Sequence, residues 1–178
     1  MNNELQEQYK RDVMSLAENG CWGEALDRLN EQPELATAIF DFEETLLISL
    51  AAYPRASVLL LRLIEFGANV QHQTSAGLTA VEQTIWNGSQ HGLDTLEEVK
   101  LLLEKGANPN TVASTGAPLL QLALFLGRLE HAKVLLEYGA DPNQCSHDHE
   151  PETAFDVAKR TGNKAAMDLL AGHKKQTT

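Results

Sequence analysis

Residues 135–143 read LLEYGADPN, residues 101–110 read LLLEKGANPN and residues 61–70 read LRLIEFGANV. The same phrase is written three times, with its glycine at Gly67, Gly106 and Gly139. The two spacings are 39 and 33 residues. Each glycine follows an apolar run of helical character, VLLLRLIEF, VKLLLEK or AKVLLEY. Glycine there accepts the left-handed conformation that ends a helix without steric conflict. The Asn-Val, Asn-Pro-Asn or Asp-Pro-Asn that follows turns the chain sharply. The phrase is therefore the exit of a helix into a tight turn.

Upstream of each exit lies a second short helical segment with its own turn. PLLQLALFLG (118–127) opens with Pro118, which suits a first helical turn. TAVEQTIWNG (79–88) and TAFDVAKRTG (153–162) open with threonine, a favourable N-cap. The unit reads as helix, turn, helix and hairpin-like loop with a period of 33 residues. In this the chain resembles the ankyrin-repeat family, whose period and build it shares. The resemblance covers roughly residues 45–171, and more loosely the whole chain. It implies an all-α solenoid of four repeats at about 45–70, 71–110, 111–143 and 144–171. The family's T-P-L-H box is poorly kept: Thr79-Ala80-Val81-Glu82, Pro118-Leu119-Leu120-Gln121 and Thr153-Ala154-Phe155-Asp156 occupy it without a histidine. Weaker hydrogen bonding at each helix start is the expectation.

Residues 1–44 read as a degenerate, acidic helix pair capping the stack, with a turn at Ala17–Gly20, and residues 172–178 as a frayed tail. Two interruptions break the period. Extra residues fall near GSQHGL (88–93), between two helices, where Asp94 and Glu97 suggest a capping box for the next helix. CSHDHEPE (145–152) places Cys145, His147 and His149 close together, but at no usual zinc spacing, and reads as a loop.

The charge is uneven. The chain of 178 residues carries a net −11. Residues 1–44 hold 11 acidic side chains against Lys10, Arg11 and Arg28, a net of −8. Nucleic acid and anionic lipid both call for a basic footprint, so neither is an expected partner. A basic protein would be attracted. No apolar run reaches membrane-spanning length and the polar start MNNELQEQYKRD does not read as a signal peptide, which points to a cytoplasmic location. Cys21 and Cys145 form no motif and read as free thiols.

No phosphate-cradling loop, nucleophile elbow or H-E-x-x-H occurs, so neither catalytic residues nor a metal or other cofactor is expected. The ankyrin resemblance implies instead a protein-binding concave face. It also implies that the two positions before each mid-repeat turn face it: Tyr53 and Pro54, Trp86 and Asn87, Phe125 and Leu126, Arg160 and Thr161. Hairpin tips would flank that face, with Gln73, Ser75, Ser114, Thr115 and His147 as polar contacts. A register shifted by one would turn the aromatic rings into core. A monomeric inhibitor or immunity-type protein that neutralises one partner, a basic toxin or enzyme, is the first functional expectation. An adaptor that links partners without inhibiting them is the second.

Overall fold

The computed structural model describes residues 3–91, 94–146 and 151–176. The described residues form ten α-helices: α1 (Asn3–Glu18), α2 (Trp22–Glu31), α3 (Leu46–Leu50), α4 (Ser57–Glu65), α5 (Ala80–His91), α6 (Leu96–Glu104), α7 (Leu119–Phe125), α8 (Leu129–Glu137), α9 (Ala154–Arg160) and α10 (Lys164–Gln176). Two compact units result, Met1–Ala107 and Asn108–Thr178. In the first, α1, α3 and α5 pack as one row and α2, α4 and α6 as another, with each consecutive pair in contact across the rows. In the second, α7 packs on α9 and α8 on α10, again with paired partners α7–α8 and α9–α10. This is the all-α helix pairing of an ankyrin-type stack.

The repeated phrase has one physical explanation in all three places. Gly67, Gly106 and Gly139 take φ of 95°, 97° and 91°. Behind them the amides of Ala68, Ala107 and Ala140 each donate 2.9 Å back to Leu63, Leu102 and Leu135. The glycine amides donate 3.0 Å to Ile64, Leu103 and Leu136. These paired bonds satisfy carbonyls that a helix end would leave orphaned. The next residue closes the turn: Asn69, Asn108 and Asp141 accept from the amide two residues on, at 3.0, 3.0 and 2.8 Å. Leu63, Leu102 and Leu135, four residues before each glycine, are wholly buried. The phrase thus carries both the stop signal and the core residue that the stop positions.

Helix starts are better tied than the weakened box suggests. The hydroxyls of Thr45, Thr79 and Thr153 accept from the amides of Ile48, Glu82 and Asp156 at 3.3, 3.2 and 3.3 Å. At Thr153 the Asp156 carboxylate returns the bond, completing a capping box. Gln121 stands where the family box has histidine. It is buried, and its Nε2 donates to the carbonyls of Gln144 and Glu152 at 2.9 and 2.6 Å. The side-chain amide thus ties α7 to the following loop, while Pro118 at the N-cap of this helix makes no side-chain capping bond.

Three local departures from the sequence reading follow. The residues read as an inter-helix loop at 88–91 instead prolong α5 to His91, while 92 and 93 lie outside the described residues. Because α5 absorbs part of the extra chain, only a short link remains before α6. The capping box at Asp94 and Glu97 also takes a different form. Asp94 Oδ1 accepts from the Leu96 amide at 3.1 Å, whereas Glu97 pairs with Lys100 at 3.2 Å. Thr95 holds the N-cap position and points its hydroxyl inward to the Thr84 carbonyl at 2.8 Å. Finally, α10 runs on to Gln176, into the stretch read as a frayed tail, with no proline to stop it.

Candidate protein-binding surfaces

The positions expected to face a partner sit differently in each unit. In the first unit α3 stops at Leu50, so Tyr53 and Pro54 lie in the α3–α4 turn rather than late on the helix. Pro54 has no amide proton with which to continue the helix. Tyr53 is half-buried and its Oη donates to Glu18 Oε1 at 2.8 Å. Burial, then the hydrogen bond and charge of Glu18, push its phenol up to about 12. Trp86 and Asn87 fall inside the lengthened α5 and are half-buried, with Asn87 Nδ2 donating to the Gln83 carbonyl at 3.3 Å. The tryptophan is neither core nor fully presented.

Tyr53 lines a cleft of about 500 Å³ together with Ala17, Glu18, Gly20, Trp22, Pro54, Arg55 and Asp94. Its walls are aromatic and its polar groups mixed, a composition suited to gripping a protruding side chain of another protein. Arg55 is the unexpected member. It is exposed and held at φ 67°, in the left-handed region. Gly20, Gly127 and Gly162 occupy the corresponding turns at φ 72°, 71° and 66°. Aligning the mid-repeat turns by their glycines would have singled out Arg55. Trp22 and Glu18 have no comparable signal, because they belong to the degenerate first pair.

In the second unit the expected residues come together. Phe125 closes α7 and is 56% exposed, and Arg160 closes α9 with its guanidinium 5.9 Å from the Phe125 ring centroid. Glu152 grips the same guanidinium twice, Nε to Oε1 at 2.8 Å and Nη2 to Oε2 at 2.9 Å. That two-pronged bond holds the Glu152 carboxyl below its usual range. The patch is an exposed ring with an oriented cation beside it. Of the helix C-caps, Leu126 is half-buried and Thr161 is exposed.

Of the hairpin positions, Gln73, Ser75, Ser114 and Thr115 are exposed, on loops closed by the bridges Gln73–Thr79 and Val112–Pro118. Gln73 Nε2 donates to the Gly77 carbonyl at 2.9 Å, and the Ser75 amide donates to Glu43. His147 and His149 lie outside the described residues. Among the described residues no group of His, Cys, Asp or Glu is placed to hold a metal ion, and Cys21 and Cys145 are free thiols. No helix among them is long and apolar enough to cross a membrane.

The family model for ankyrin repeats, three copies, matches residues 48–146. No curated protein matches the chain.

Proposed function

The chain belongs to the ankyrin-repeat family, whose members are typically non-catalytic protein-binding modules, and from that premise we propose that it binds and neutralises a single partner protein. Each unit offers its own contacts: Tyr53 in the α3–α4 turn and Trp86 on α5 in the first, and Phe125 and Arg160 at the ends of α7 and α9 in the second. Asn87 and Leu126 flank the rings, and the loops bearing Gln73, Ser75, Ser114, Thr115 and His147 form a polar rim. In this reading the chain has four repeats, at 45–70, 71–110, 111–143 and 144–171, capped by the acidic pair at 1–44.

The observation that carries the proposal is the Phe125–Arg160–Glu152 arrangement. An exposed ring with a pre-oriented guanidinium loses little conformational freedom on binding, and aromatic and arginine side chains dominate interface energetics. The net −11 favours a basic partner. The test is to capture the partner, purify it and assay its activity with and without the chain. Stoichiometric loss of activity supports inhibition. An unchanged activity with a second protein bound at once would make the chain an adaptor.

A further inference from the structure

A different surface lies at the opposite end of α3 from the Tyr53 cleft. Residues 38–45 read AIFDFEET and form a hairpin turn leading into the Thr45 cap. The turn is built like its two successors. Phe40 N donates to Glu44 O at 2.8 Å, as Thr74 N does to Leu78 O at 3.1 Å and Ala113 N to Ala117 O at 2.8 Å. The closing amide is Glu43 here, and Gly77 and Gly116 there. Those glycines take φ of 86° and 85°, whereas Glu43 takes 59° and Phe42 before it also takes 59°. Two residues with β-carbons thus occupy a conformation that side chains disfavour.

The turn is clamped from three sides. Glu7 on α1 accepts from the Asp41 amide at 3.1 Å, and Lys10 reaches Glu44 at 2.7 Å. Ser49 on α3 donates to the same Glu44 carboxylate at 3.1 Å. From the next hairpin, the Ser75 amide donates to the Glu43 carboxylate, and His72 Nε2 lies 2.7 Å from the Glu43 carbonyl. Phe40 is buried, with the Lys10 ammonium 5.1 Å from its ring centroid. What these bonds leave outside is Phe42, 91% exposed, with Ile39, three residues earlier, 59% exposed. The ring is thus presented to solvent from a disfavoured backbone conformation that the neighbouring bonds sustain, a kind of strain that clusters at binding sites.

Charge decides what could cover it. Asp41 and Glu43 flank Phe42 in sequence, Glu7 reaches the Asp41 amide, and among the described residues Glu44 is the one of the turn's acidic groups that meets a cation, Lys10. A second copy of the chain would bring another net −11, and nucleic acid or anionic lipid is repelled for the same reason. We propose that this turn is a docking tip for an arginine-bearing basic segment of a partner protein, with a guanidinium stacked on the Phe42 ring between the flanking carboxylates. Arginine suits the tip better than lysine because its planar cation stacks on an aromatic face while its N–H groups reach carboxylates.

The probe is a ten-residue peptide of alternating arginine and glycine, with its lysine counterpart as control, titrated into the full chain and followed by NMR. The Phe42 ring and the Asp41 and Glu43 amides should shift and saturate. The arginine peptide should bind roughly two- to fivefold more tightly than the lysine peptide. Phe42→Asn, which keeps a residue suited to the left-handed conformation, should erase that difference while leaving the remaining spectrum folded. Asp41→Asn should weaken both peptides. Equal affinities for the two peptides, an unchanged Phe42→Asn, or shifts confined to α1 and α2 would each overturn the tip. None of these results bears on the Phe125–Arg160 patch, so the two proposals fail separately.

Discussion

At the scale of single residues, one turn position separates stability from use. Arg55 occupies a left-handed site that glycine fills in three other turns. Arg55→Gly should stabilise the chain by roughly 0.5–1 kcal/mol, the relief of β-carbon strain less the entropy of glycine. Chemical denaturation checks it, and a loss of stability would mean that the side chain makes contacts worth more than its strain. If the Tyr53 cleft binds the partner, the same variant should bind it more weakly. The tyrosines make a second expectation. Tyr9 and Tyr53 have phenols pushed up to about 12, both chiefly by burial. A raised folded value means the fold prefers the neutral phenol. The stability this contributes is complete below the unfolded value near 10 and disappears as pH climbs from 10 through 12. Denaturation midpoints should fall over that window, and Tyr9→Phe with Tyr53→Phe should flatten the fall. These features were only partly legible beforehand: the three phrase glycines announced themselves, but Glu43 and Arg55 reveal their strain only against the glycines of sister units.

Among the elements, caps and repeated leucines carry the argument. Thr45→Ala should cost about 1 kcal/mol, since its hydroxyl caps α3, a helix of only 5 residues. Leu102→Ala should cost about 3 kcal/mol, because the side chain is wholly buried where α6 meets its exit turn. Urea titrations of both variants check the ranking; a cap loss larger than the leucine loss would contradict it. The helix, turn, helix rhythm was legible because the stop signal and the buried leucine recur together. The length of α5 was not. Gly88 and Ser89 lower intrinsic helix propensity and read as a loop, yet the helix continues through them to His91. The same lengthening sets Trp86 in a helix interior, half-buried, rather than at a helix end. The early stop of α3 at Leu50 displaced Tyr53 in the other direction. Phe125 and Arg160 stand at the last positions of α7 and α9, helices that end where the period says.

For the whole molecule, charge and composition set what kind of partner is acceptable. A chain at net −11 that captures a basic protein should do so at a rate that falls steeply with salt. Stopped-flow association between 50 and 500 mM salt is the check, and a rate indifferent to salt would remove charge from the account. The most direct test of the binding face is a single comparison. The partner captured by the wild-type chain is titrated calorimetrically with wild type and with the Trp86→Ala, Phe125→Ala double variant, both first shown to be folded. The account predicts that the variant loses at least tenfold in affinity, since two aromatic truncations at an interface together exceed about 2 kcal/mol. Equal binding by a folded double variant would contradict it and take the interface away from these two rings.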